Sequence, residues 1–70
     1  VEPGLYVHHK GGQYLVLMTA FESGNGRPRE EVVVYVSLKH TSINVRPLKE
    51  FIALVEWQDG SLRPRFTRVV

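Results

Sequence analysis

The chain has 70 residues, no cysteine and a formal net charge of +2, which excludes a disulfide framework, a thiolate metal site and more than one domain; residues 1–70 form a single unit with a modest core. No apolar run nears the ~20 residues that cross a bilayer and no basic-then-apolar leader is present, so a soluble chain with no membrane contact, compatible with a reducing cytoplasmic setting, is expected. The pI of about 9.3 adds little, because with so small an excess of bases neutrality is reached only as lysines and tyrosines titrate.

Pro3 and Gly4 lead into a first strand, Leu5 to His8, with Leu5 and Val7 on one face and Tyr6 and His8 on the other. Lys10, Gly11 and Gly12 then make a tight turn, glycine being the residue that accepts positive φ. A second strand spans Gln13 to Phe21, with Tyr14, Val16 and Met18 on one side and Leu15, Leu17, Thr19 and Phe21 on the other. Ser23, Gly24, Asn25, Gly26, Arg27 and Pro28 make Glu22 to Glu30 a long exposed hairpin loop. The strand that organises the chain follows at Glu31 to Leu38, where Val32, Val33, Val34, Tyr35 and Val36 run without interruption. Branching at Cβ disfavours a helix, and a run without polar alternation predicts a strand inside the sheet, beside the second one and buried on both faces. On that reading Val34→Asp unfolds the domain.

Lys39 to Ser42 is a polar turn and Ile43 to Arg46 a short strand; Pro47 then sets φ for a helical turn that carries Leu48 and Phe51 on one side. Ala53 to Trp57 returns to extended structure, with Ala53, Val55 and Trp57 on one face. Asp59-Gly60 is the pair of a type I′ hairpin. Leu62 to Val69 closes the chain with Leu62, Pro64 and Phe66 facing in, and Pro64, which cannot donate a ladder bond, makes it an edge strand. The fold class that results is mainly β: a small, strongly bent antiparallel sheet or a partly open SH3-like barrel of five to six strands, with one helical turn near Pro47 to Phe51. Trp57 is expected in the core beside Phe51, Val55 and Phe66, the alternative being an exposed contact anchor.

No constellation for catalysis emerges. His8 and His9, as strand neighbours, point to opposite faces, and with no cysteine and one aspartate there is no donor set for a metal. Ser23, Ser37, Ser42 and Ser61 lie in turns or at a strand end, Asp59 is needed by its own turn, and Glu30 with Glu31 reads as a solvated strand start. Gly24 to Gly26 leads into charge and proline where a phosphate loop would open a helix. A non-enzymatic chain with no catalytic residue, no metal and no cofactor is expected. The candidate ligand-binding residues are Tyr6, His8, Lys10 and Tyr14, joined by Tyr35, Arg46 and Arg65, since rings interleaved with cations can stack bases and neutralise phosphates of a nucleic acid. In the competing reading the tyrosines cap the core and the arginine stems cover its edges. The second class of function is protein–protein interaction or homo-oligomeric assembly, through a sheet edge or the Trp57 face.

Gly4, Tyr6, His8, Lys10, Gly11, Tyr14 and Val16, then Val33, Val34 and Tyr35, then Val45, Arg46, Pro47, Leu48 and Phe51, then Pro64, Arg65 and Phe66 together resemble the small bacterial family called domain of unknown function 1653, over nearly the whole chain. The resemblance implies a compact cytoplasmic domain and no established activity. Three positions depart from the family pattern: Asn44 stands where an aromatic is usual, Val36 where an arginine is, and His9 where a tyrosine is. If those positions line a groove in relatives, this chain binds a different ligand there, or none.

Overall fold

The computed structural model describes residues 1–24, 26 and 29–69. Along these the elements are β1 (Gly4–His8), β2 (Gln13–Glu22), β3 (Glu30–Ser37), β4 (Ile43–Pro47), α1 (Leu48–Phe51), β5 (Leu54–Glu56), β6 (Leu62–Pro64) and β7 (Phe66–Arg68). Five strands form one antiparallel sheet in the order β4-β3-β2-β1-β7, while β5 and β6 pair apart as a hairpin. The architecture is mainly β, with one short helix and no closed barrel. The valine run has ladder partners on both sides, Val34 standing opposite Met18 on β2 and Val45 on β4.

The core lies on one face of the sheet and is built largely of rings. Alternation brings Tyr6, Val16, Val33, Tyr35 and Phe66 to that face, and α1 lowers Phe51 onto them. Phe51 and Phe66 stack with centroids 4.1 Å apart and planes 3° from parallel, and Tyr6 and Tyr35 meet Phe51 edge-on at 5.5 and 5.8 Å. Rings give a short chain much buried area for few residues. Every buried side-chain polar atom among the described residues has a partner, as a small core requires.

Several sequence expectations change for identifiable reasons. A bulge between Val16 and Met18 inserts Leu17 as an extra residue, so Met18 joins Leu15 on the outer face while Thr19 and Phe21 cross to the side of Val16. The central strand is fully covered on one face, where Val33 and Tyr35 are buried; on the other, Val32 is buried at the loop end while Val34 and Val36 are half-buried. The Asp59-Gly60 turn is not type I′, which needs positive φ at both central residues. Trp57 C=O accepts from Gly60 N–H and Trp57 N–H donates to Ser61 C=O, both at 2.9 Å, and only Gly60 has positive φ, 84°. This is a three-residue loop closed by a glycine bulge. The His8 to Gly12 turn repeats it, with Gly11 at φ 92°.

The closing strand is broken at Arg65, whose N–H donates to Ala53 C=O at 2.8 Å, so β6 pairs with β5 and β7 with β1. Pro64 therefore does sit on an edge strand, but Leu62 is 69 % exposed rather than inward. Trp57 lies half-buried outside the ring core; its indole N–H donates to Pro64 C=O at 3.0 Å and the Arg63 guanidinium covers its face at 4.1 Å. Of the long β2–β3 loop, Asn25, Arg27 and Pro28 lie outside the described residues.

Candidate functional site

On the core face, β1 ends at His8, beyond Tyr6, and there the sheet's rings meet the cations of β4, of the break between β6 and β7, and of the first turn. The His8 ring sits edge-on to Phe66 at 4.7 Å and to Tyr14 at 6.0 Å. Its Nδ1 accepts the Lys10 backbone N–H at 3.1 Å, which leaves Nε2 to carry the proton of the neutral ring. Burial first, then the positive fields of His9, Arg46, Arg65 and Lys10, lower the His8 pKa from 6.5 to about 4. The sequence-derived residues therefore do converge. They do so unequally: Tyr6 and Tyr35 lie beneath the surface, 7 % and 5 % exposed, Tyr14 is half-buried, and Lys10 stands exposed at the turn.

The polar atoms of this cluster largely serve one another. Tyr6 Oη donates to Glu2 C=O at 2.8 Å, and Tyr35 Oη accepts from Arg46 Nε at 3.3 Å. Arg46 lies 5.6 Å over the Phe66 ring and reaches Glu50 at 3.4 Å, while Arg65 Nε donates to Glu50 C=O at 3.0 Å. The arginine stems roof the ring core and keep their charge near water.

Beside it lies a cleft of about 310 Å³ that the sequence did not reveal, formed where the two three-residue turns face each other and lined by His8, His9, Gly11, Trp57, Asp59 and Arg63 among others. The His9 and Trp57 rings approach to 6.4 Å. His8 and His9 are not turned apart as strand alternation predicts; their rings are 4.5 Å apart because His9 already belongs to the turn. Among the described residues no three His, Cys, Asp or Glu side chains converge on a cation position. Asp59 Oδ1 accepts the Ser61 N–H at 3.0 Å and its hydroxyl at 2.6 Å, and these bonds hold its carboxyl below the usual range. Of the departures from the family pattern, Asn44 and Val36 fall on opposite faces of the sheet and His9 in the cleft, so they line no common groove.

The opposite face of the sheet has a different character. Register places Leu5, Val7, Leu15, Met18, Ala20, Val32, Val34, Val36, Ile43, Val45 and Pro47 there, with the polar Gln13 and Thr67 beside Val7 and no acid or base among them until Glu22 and Glu30 stand opposite each other at the loop end. Ile43, Val45, Met18 and Leu15 are 70, 61, 55 and 39 % exposed. An exposed antiparallel sheet face is normally polar. The signal was in the sequence, as the lack of alternation in β3; what it could not say was which face the chain itself would cover.

Among the described residues no helix is long and apolar enough to cross a membrane. No curated protein and no solved structure matches the chain. The family described as "Protein of unknown function (DUF1653)" matches residues 4–68, from the first glycine of β1 to the last arginine of β7, and the chain belongs to that family.

Proposed function

We propose that this chain is a non-enzymatic interaction module that works by packing the open face of its five-stranded sheet against another polypeptide. The observation that carries the reading is the uncharged, apolar and solvent-exposed surface around Met18, Ile43 and Val45; exposed patches of this kind mark association surfaces. The four most exposed of its strand residues leave open the equivalent of a little over two whole side chains. At ~1.5–3 kcal/mol per side chain, covering them is worth roughly 3–7 kcal/mol, and a complementary partner surface contributes a similar amount. The core face offers less for stacking, because Tyr6 and Tyr35 are already packed under their neighbours.

The test is the dilute chain with an apolar dye such as anilinonaphthalene sulfonate. Native protein should bind the dye, and Ile43→Lys with Val45→Lys should abolish binding while leaving the circular dichroism spectrum unchanged. Absence of dye binding to a chain that sediments as a monomer, or unfolding by these two substitutions, means the face is covered within the fold and refutes the reading.

A second reading, binding of a single nucleic-acid strand, is favoured by one observation: the fields of His9, Arg46, Arg65 and Lys10 all act on His8. An anionic strand could lie along those cations with a base against Tyr14. Amide shifts at His8, Lys10, Tyr14, Arg46 and Arg65 should then respond to short single-stranded RNA or DNA, with log K falling as log salt rises. No response at low salt removes this reading.

A further inference from the structure

We infer that the polypeptide covering the open face is a second copy of this chain, the two sheets packed face to face about a two-fold axis; the inference rests on the interaction-module reading above. A two-fold interface sets one patch against itself, so a charge near its centre meets its like. This face satisfies that condition: Leu5, Leu15, Met18, Val34, Ile43 and Val45 present no charge to a twin. Among the described residues its acids, Glu22 and Glu30, stand at the loop end of β2 and β3. An axis across the strands carries that end of each copy over the β3–β4 turn of the other, where Lys39 and His40 are exposed, and keeps the two acid pairs apart. An axis along the strands sets them together and is disfavoured.

Size agrees. β2 has ten residues, about 34 Å at ~3.4 Å per residue, in a molecule measuring 41 × 25 × 19 Å. The two larger extents of the whole molecule bound its widest outline at about 1,000 Å², which leaves room for the ~800 Å² that a stable interface buries on each partner. Two sheets so placed form a β-sandwich with the usual ~10 Å spacing and a strand angle near 30°.

The experiment is sedimentation equilibrium of the purified chain from low micromolar to about millimolar concentration, with cross-linking through engineered thiols, which the absence of cysteine makes unambiguous. A reversible dimer is expected, with Ile43→Lys raising its Kd at least about tenfold without changing the circular dichroism spectrum. Met18→Cys should oxidise to a covalent dimer much faster than Lys49→Cys, whose side chain is exposed on α1 away from this face. A chain that stays monomeric, with both thiol variants cross-linking at the same slow rate, overturns the second-copy inference. If that monomer still binds the apolar dye through Ile43 and Val45, the interaction-module reading survives with a different partner; if it binds none, both fall.

Discussion

His8 ties the folded state to pH, and the size of the effect can be worked from its surroundings. In the unfolded chain its imidazole titrates near 6.5, while in the fold the half-buried ring, facing His9, Lys10, Arg46 and Arg65, titrates at about 4. Between those values the unfolded chain binds a proton that the folded chain does not, so acid favours unfolding. The contribution of His8 is whole above pH 6.5, falls as pH drops toward 4 and is constant below. The full gap corresponds to at most about 3.4 kcal/mol, and because the ring retains contact with water, about 1–2 kcal/mol is expected.

His8→Phe isolates this. A phenyl ring keeps the edge-on packing against Phe66 but does not titrate, and water can replace Nδ1 as acceptor for the exposed Lys10 N–H. Urea unfolding of both proteins near pH 7 and near pH 4.5 should show the native chain losing about 1–2 kcal/mol more than the variant. A magnetic-resonance titration should place the His8 midpoint at about 4. Strong salt should raise it only part of the way to 6.5, since salt screens the four cations but leaves burial, the larger cause, in place. A midpoint at or above 6.5, or equal acid sensitivity of the two proteins, would falsify the placement of His8 between the ring core and the cations.

The two faces of β3 should answer differently to the same substitution. Val33→Asp puts a charge at a fully buried site and should abolish the cooperative melt of a domain with only a few kcal/mol in reserve; Val34→Asp, on the open face, should lower stability by about 1–2 kcal/mol and leave the melt cooperative. The reverse order in thermal unfolding would mean that the faces are assigned wrongly. Thr41 holds φ at 54°, a conformation that costs a β-branched residue about 1–2 kcal/mol, while its N–H donates to Ser37 C=O at 2.7 Å. Thr41→Gly should therefore raise stability by about 0.5–1 kcal/mol in urea, and a loss of stability would show that the Thr41 hydroxyl, bonded to His40 C=O, contributes more than the strain.

Much of this fold is legible one residue at a time. The valine run specifies an interior strand, Pro47 the helical turn, Gly11 and Gly60 the hairpin loops, and Pro64 an edge. The bulge is not legible, because Leu15, Val16, Leu17 and Met18 are all apolar and an extra residue among them leaves no mark on the pattern. Asp-Gly announces a turn, but whether Asp59 takes positive φ depends on a one-residue choice of register settled by how β5 meets β6. Size alone places Trp57 inside; Arg63 stacked over its ring supplies cover without the core. The same limit applies to the candidate site. Aromatic and cationic residues could be placed on one face by alternation, and they do gather there around His8, but exposure depends on what α1 lowers onto that face, and Phe51 leaves Tyr6 and Tyr35 no ring surface to offer.

What remains is the outer face of β3, β4 and the middle of β2. Strand preference alone does not require Val34, Val36, Ile43 and Val45, because threonine has nearly the same branched shape and suits a wetted sheet face. Apolar side chains there add nothing to the ring core, which lies on the other side of the sheet, and they carry the hazard of uncontrolled aggregation in a chain whose edges β4 and β7 are open. Residues that neither fill the core nor dissolve the surface are explained if that surface is covered when the protein works. The unbroken run from Val32 to Val36 reads as a strand buried on both faces, and the folded chain covers one face and the Val32 end of the other, leaving Val34 and Val36 half-buried. An isologous contact supplies the other with no further sequence, since the face that needs covering is itself the uncharged surface that fits it.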